Sequence, residues 1–332
     1  MISIIIPVAK INDYILESIP KILAQDYKNI EILIFPDFAE KGYEWDKTRI
    51  IPSGKCGPAV KRDLAIKYAK GEILAFLDDD AYPRHDWLTK ALKNFSNPKV
   101  AAVGGPAMTP AHDDIWQKLS GSMFESYLGG GTTRNRHLPL GKIHKIKDWP
   151  TVNLLVRKDI FVKIGGFDNT FWPGEDTKLC LDIINLGYDI LYDPQVAVYH
   201  HRRSDLTKHF KQTGNYGLHR GHFARVYPQT SRRWDYFLPS MFLGYILFLS
   251  MLISLFTAGF FLTYQNYTQL LLIPLYIFII GTVTDGIIAS IRWNHLALLF
   301  LTPIMIFLTH LWYGIRFIQG FFSETLADSK VK

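Results

Sequence analysis

Cysteine is nearly absent, with Cys56 and Cys180 the two in 332 residues. Two cysteines are too few for a disulfide framework and have no metal-ligand spacing, which excludes disulfide scaffolds, zinc fingers and thioredoxin-like motifs and favours a reducing compartment. Repeats and low-complexity stretches are lacking as well, and 48% hydrophobic against 20% charged residues excludes a disordered chain. There is no basic n-region ahead of the first apolar residues, so MISIIIPVAK reads as a buried strand rather than a leader. The most informative absence is of charge: between Asp235 and Asp285 there is no Asp, Glu, Lys or Arg. The overall +7 therefore conceals a division, because residues 1–236 hold 33 of the 37 Lys+Arg and 27 of the 30 Asp+Glu, a net +6. A basic balance fits nucleic acid or a membrane surface, and its place beside long apolar runs selects the membrane, with no nucleic-acid partner expected.

Two runs begin in the uncharged stretch, about 237–263 and about 268–290, the second ending just past Asp285, and each is long enough to cross a hydrocarbon core about 30 Å thick. A third, about 296–318, is as apolar but carries His310 and Arg316, so either it spans or its second half lies in the interface as an aromatic and basic helix. Ahead of the first run come Arg202, Arg203, Lys208, Lys211, Arg220, Arg225, Arg232 and Arg233, a density that marks the cytoplasmic side and suits anionic lipid headgroups. Arg292 after the second run agrees, and the loop YQNYT after the first is uncharged, as an outer loop can be. Asp285 and His310 are ionisable groups at membrane depth, and pairing with each other is the simplest resolution. The expected organisation is a cytoplasmic domain over 1–225, a basic juxtamembrane segment over 226–236, a transmembrane region over 237–322 and a polar tail over 323–332.

The charged part alternates. ISIIIPV is a β-branched run ended by proline, NDYILESIPKILAQ repeats apolar positions at helical spacing, and EILIF returns to strand. GPAVKRDLAIKYAKG then reads as a helix with Val60, Leu64, Ile66 and Ala69 on its apolar face, and EILAFLDDD as a strand ending in three carboxylates. Alternation of this kind predicts a largely parallel sheet whose ligands sit at the carboxyl ends of the strands. Asp78, Asp79 and Asp80 lie at such an end, where adjacent carboxylates repel unless something positive is bound. A hard cation such as Mg²⁺ or Mn²⁺ that also takes phosphate oxygens is one answer, and a solvated turn capping the next helix is the other. About a hundred residues later Glu175 and Asp176 open another helix, either as ordinary caps or, for Asp176, as a general base beside an acceptor pocket shaped by Glu175. His200 follows the strand QVAVY and is either a metal or phosphate ligand or part of a basic patch with His201, Arg202 and Arg203.

Taken in order, IIIPV, Asp37 after EILIF, the GPAVKRDLAIKYAKGEILAFLDDD block, GGFD and the GED-initiated helix closely resemble glycosyltransferase family 2 over residues 1 to 225. The resemblance implies an α/β GT-A fold, Rossmann-like with a mixed sheet, and an inverting enzyme that takes a sugar from a nucleotide diphospho-sugar. Carried across by position, Asp37 would contact the nucleobase, Asp78 the ribose or metal, Asp80 the metal, and Asp176 would be the base, with Arg62 and Asp79 beside the donor. Two departures stand out. The family usually has two acids where this chain has Pro36 and Asp37, and an Arg-Asn pair where it has Arg62 and Asp63. Processive members carry Gln-x-x-Arg-Trp before their membrane channel, whereas Gln229, Arg232, Arg233 and Trp234 are spaced one residue too widely here. KHFKQTGNYGLHRGHF resembles the interfacial segment of non-processive relatives, which would put Gln212, Tyr216 and Arg220 at the membrane or acceptor rim.

The expectation is a membrane-anchored, metal-dependent family 2 glycosyltransferase of cell-envelope glycan synthesis, acting on the hydroxyl of a lipid-linked or membrane-proximal acceptor. Transfer to a polyprenyl phosphate is the runner-up, and a catalytically silent nucleotide-sugar-binding scaffold the reading from another class.

Overall fold

The computed structural model describes residues 1–168, 171, 173–260 and 268–326. Asn169, Thr170, Trp172, most of the YQNYT loop and the last six residues of the tail lie outside the described residues. In chain order the elements are β1 (Ile2–Pro7), α1 (Asp13–Leu23), β2 (Ile30–Phe35), β3 (Thr48–Ile50), α2 (Pro58–Tyr68), β4 (Ile73–Leu77), β5 (Ala81–Pro83) and α3 (Trp87–Asn94). Then come β6 (Val100–Gly104), β7 (Ala107–Met108), α4 (Ile115–Glu125), β8 (His144–Ile146), β9 (Asn153–Arg157), α5 (Lys158–Ile164), α6 (Glu175–Asn185), β10 (Asp189–Tyr192) and β11 (Val198–His200). The last are α7 (Leu206–Val226), α8 (Pro228–Ser231), α9 (Trp234–Thr257), α10 (Thr268–Trp293) and α11 (Ala297–Phe322). Two compact units divide them: one holds Met1–Pro110 and Asn135–His201, the other Ala111–Arg134 and Arg202–Leu326.

The first unit is built on an eight-stranded sheet in the order β3-β2-β1-β4-β9-β6-β10-β8, with β9 and β8 antiparallel to their neighbours. It is the mixed α/β sheet of a GT-A-like domain. Because side chains alternate across a strand, Ile2, Ile4 and Ile6 of β1 face one core with Ile15, Ile19 and Ile22 of α1 and Trp87 of α3. Ile5 faces the other core, with Ala65 of α2, Phe161 of α5 and Leu179, Cys180 and Ile183 of α6. Burying both faces is what makes the strands read as unbroken apolar runs, and each buried Ile or Leu contributes about 1.5–3 kcal/mol. A second, three-stranded sheet, β5-β11-β7, is tied to the first by Asn153. Its fully buried amide donates to the Pro106 and Val196 carbonyls (3.1 and 2.7 Å) and accepts from Trp87 Nε1 at 2.9 Å. These bonds fix the position of β11, and hence of His200.

In α2 the buried face differs from the sequence reading. Val60 is exposed, while Ala59, Lys61, Arg62 and Ala65 are buried. Two cations point inward because carboxylates wait at the strand ends, a preference that apolar periodicity does not record.

In the second unit α9, α10 and α11 are long and apolar enough to cross a membrane, the third as a continuous helix of 26 residues. The amphipathic α4 packs Leu119 and Met123 against Leu298, Met305 and Ile306 of α11. Helix α7 lies against α11 through glycines: a Cβ on Gly217 would fall 2.6 Å from the Tyr313 carbonyl, and one on Gly221 2.8 Å from the Phe321 nitrogen. Asp285 and His310 do not pair with each other. The Asp285 carboxylate accepts the backbone amides of Tyr127 (2.8 Å) and Leu128 (3.1 Å), and His310 Nδ1 bonds the Ile306 carbonyl of its own helix at 2.9 Å. Each thus finds a backbone partner nearer than the other side chain.

Candidate active site

The carboxyl ends of β1, β2 and β4 converge, and the acids predicted for donor binding follow two of them. Strand β2 delivers Asp37, whose carboxylate is ion-paired with the buried Lys61 ammonium of α2; the same ammonium also donates to the Val8 carbonyl just past β1. The next residue, Arg62, donates from Nη2 to Asp78 Oδ1 at 2.6 Å and from Nη1 to Glu175 Oε1 at 3.3 Å. Burial works against the guanidinium's charge, but Asp78 and Glu175 more than restore it, and its pKa is raised. Asp78 at the end of β4 and Glu175 at the start of α6 are thereby joined through one cation.

Asp79 turns the other way, toward α1. Asn12, the N-cap of that helix, accepts the Ile15 amide through Oδ1 and donates from Nδ2 to Asp79 Oδ2 at 2.8 Å. Burial, then the charges of Asp80 and Asp78, push the Asp79 carboxyl up to about 6. The expected repulsion among the three acids is therefore present at the middle one. Asp80 turns toward β11: its Oδ1 lies 3.1 Å from His200 Nε2, and its carbonyl accepts the His201 amide at 2.9 Å. Ligand atoms of Asp78, Asp80 and His200 all lie within 4.8 Å of one another. Two carboxylate oxygens and an imidazole nitrogen, with room left for phosphate oxygens, fit a divalent cation of the Mg²⁺ or Mn²⁺ kind.

Gly174 is the N-cap of α6, its φ of 132° suits a residue without a Cβ, and Glu175 Oε2 accepts the Gly174 amide at 3.0 Å. Burial and the neighbouring Asp176 charge raise the Glu175 carboxyl to about 7, with Arg62 pulling the other way. Asp176 Oδ1 accepts the Thr177 amide at 2.7 Å, and the Thr177 hydroxyl donates to Asp148 Oδ1 at 3.0 Å. Arg136 holds the other oxygen of Asp148 at 2.9 Å.

Sequence reasoning assigned no part to Asn12, Glu17, Arg136, Asp148 or Thr177, and met His201 only as a member of a basic patch. His201 stacks on Tyr14 at 4.6 Å and meets Glu17 Oε2 at 2.9 Å, fastening the residue beside His200 to α1. Asn12 carried a usable signal, an N-cap residue just after a β-strand; the others did not. The Arg62-Asp63 departure also has its explanation here. Asp63 Oδ1 accepts the Phe167 amide at 2.8 Å, and Gly166 beside it has φ of 90°, so this acid holds the GGFD turn. Gln212, Tyr216 and Arg220 lie on α7 in the second unit: Gln212 donates to the Tyr216 hydroxyl at 3.0 Å, and the buried Arg220 donates to Ser231 Oγ at 3.2 Å.

Residues 3–161 match the family described as Glycosyl transferase family 2. A dolichyl N-acetyl-alpha-D-glucosaminyl phosphate 3-beta-D-2,3-diacetamido-2,3-dideoxy-beta-D-glucuronosyltransferase from Methanococcus voltae is 24% identical and aligns over 96% of each chain. The pre-mycofactocin glycosyltransferase of Mycobacterium tuberculosis is 29% identical over 48% of this chain, and the match spans only 33% of that longer protein. A mannosyltransferase from Pyrobaculum calidifontis, solved with GDP-Man and Mn²⁺, superposes with a TM-score of 0.49 at 19% identity, over 68% of this chain and 63% of that one. The family match covers Asp37, Arg62 and the three aspartates after β4 and ends before Glu175, and a relative aligns along nearly the whole chain, so residues 3–161 carry a glycosyltransferase family 2 domain.

Proposed function

We propose that the chain is an inverting, metal-dependent glycosyltransferase that moves a sugar from a nucleotide diphospho-sugar to a hydroxyl of a lipid-linked or membrane-proximal glycan acceptor. The observation that carries this reading is the convergence of Asp78, Asp80 and His200 at the strand ends, joined through Arg62 to Glu175 beside Asp176. A divalent cation held by Asp78, Asp80 and His200 would offset the charge that develops on the departing diphosphate. Asp37, with Lys61 behind it, borders the nucleobase, and Asp78 the ribose. Asp176 takes the proton of the acceptor hydroxyl as that oxygen bonds to the anomeric carbon and the bond from that carbon to the phosphate oxygen breaks. One in-line displacement inverts the centre, so a single base suffices and no covalent nucleophile is required. Arg62 keeps Glu175 and Asp78 at fixed spacing while this happens.

The lipid-linked acceptor is supported by three apolar helices and by the Methanococcus relative, whose name specifies a dolichyl-linked sugar phosphate. A catalytic domain in residues 1–225, facing the cytoplasm beside the basic collar and anchored in the cell membrane, meets such acceptors at high local concentration. Gln212, Tyr216 and Arg220 are assigned to the membrane rim in this reading. The test is transfer of labelled sugar to membrane lipid by purified protein. Asp176→Asn lowers kcat by about 10²–10⁴, and Asp80→Asn abolishes transfer with the fold intact. Full activity in either variant sinks the assigned chemistry, and substantial transfer to polyprenyl phosphate by Asp176→Asn moves the acceptor from a hydroxyl to a phosphate.

A further inference from the structure

Residues 111–134 interrupt the sheet domain in sequence and belong to the second unit. Their contacts descend α10 step by step. Near its end, Trp293 Nε1 donates to Ser122 Oγ at 3.0 Å, and Arg292 meets Glu125 at 3.4 Å. The turn that follows α4 then reaches Asp285, whose carboxylate takes the Tyr127 and Leu128 amides, and a Cβ on Gly281 would lie 2.7 Å from the Leu128 side chain. At 1.5 Å per residue Asp285 is about 12 Å and Gly281 about 18 Å along the helix from Trp293. The chain then returns: Thr132 bonds Asp235 and Arg233, the first turn of α9 and its N-cap.

Resting on the reading that α9–α11 span a bilayer, we propose that residues 115–134 form a re-entrant element in the same bilayer, with Tyr127 and Leu128 at its tip. Helix α10 has 26 residues, about 39 Å, against a hydrocarbon core of about 30 Å. With both ends overhanging equally, Asp285 sits about 7 Å inside the hydrocarbon boundary. Non-helical backbone at that depth is costly unless protein groups satisfy it. Two amides donated to one carboxylate meet that requirement, and they give the intramembrane acid its reason to exist. The surface of the element fits lipid as its partner. Tyr127 is 62% exposed, and the Arg134 guanidinium lies 3.7 Å from its ring centroid. Trp116 is exposed on α4, and Lys118 of that helix lies 5.7 Å from the Trp293 ring. Trp116 and Lys118 belong at the headgroup boundary, and Arg134 is long enough to reach from there toward the Tyr127 ring.

The test is nitroxide accessibility in the full chain reconstituted in vesicles of phosphatidylglycerol and phosphatidylethanolamine. Single labels go at Tyr127→Cys and, as the reference for the span, at the exposed Ile280→Cys of α10. The background is Cys56→Ser, with the fully buried Cys180 left in place. Expected is a collision rate with oxygen several-fold above that with a water-soluble nickel chelate at both positions. An oxygen-dominated label at 280 with a nickel-dominated label at 127 overturns the re-entrant element and leaves the spans standing. A nickel-dominated label at 280 overturns the membrane reading, and this inference with it.

Discussion

Replacing Arg62 by glutamine removes the cation that touches both Asp78 and Glu175, and the consequence is legible in pH. Glu175 is raised from its ordinary 4.5 to about 7, mainly by burial. A carboxyl whose folded value lies above its unfolded one keeps a proton in the native state that the unfolded chain releases. Its contribution is therefore fullest below the unfolded value, falls as pH rises toward about 7, and levels beyond. Without Arg62 the folded value moves further up, so the decline continues past neutrality at up to about 1.4 kcal/mol per pH unit.

The size at neutral pH follows from the geometry. The Arg62 and Glu175 side chains are 5% and 9% exposed. Removing one partner of a buried ion pair costs about 3–5 kcal/mol when the other stays charged. Glu175 escapes part of that by taking up a proton, and Asp78, 30% exposed, is screened by water, so a deficit of about 1–3 kcal/mol near pH 7 is expected. It should shrink toward about pH 6, where Glu175 is already neutral, and grow toward about pH 8.5. Unfolding midpoints of wild type and Arg62→Gln in detergent, followed by tryptophan fluorescence across that range, supply the comparison. Parallel curves would refute the reasoning.

Two other substitutions separate position from charge. Asp63→Asn keeps an acceptor for the Phe167 amide and should cost little, whereas Asp63→Ala strands that amide and should lower stability by about 1–3 kcal/mol; equal melting of the two variants would contradict the assigned contact. Gly221→Val pushes a side chain into the backbone of α11 and should destabilise by about 1–3 kcal/mol, read as a lower midpoint in detergent, and an unchanged midpoint would mean α7 and α11 are less closely packed than described.

Much of this was legible in the sequence where one pattern decides the outcome. Strands buried on both faces read as unbroken apolar runs, and ILAFL followed by three aspartates placed β4 and its acids together. Hydropathy and length alone marked α9 and α10 but left the third segment, with its Arg316, between a span and an interfacial helix; it is one helix of 26 residues, long and apolar enough to cross a membrane. What stayed hidden depends on partners distant in sequence. Periodicity put Val60 inward, because nothing local records that Lys61 and Arg62 have carboxylates to meet. Asp285 looked like a partner for His310, because the amides it holds belong to a turn some 160 residues earlier. Helix α4 has the composition of an ordinary surface helix, and only its contacts assign it to the apolar bundle.

The proposed chemistry stands on a metal-dependent nucleotide-sugar site at Asp78, Asp80 and His200. It is tested most directly by the melting temperature of the detergent-purified chain with UDP-, GDP- and dTDP-sugars, each with and without Mn²⁺. A ligand at a hundred times its Kd adds about 2.7 kcal/mol to the native state. Expected is a rise in Tm with one donor that requires the metal and is lost in Asp80→Asn and in His200→Ala. No rise with any donor, or a rise of equal size in Asp80→Asn, would contradict it.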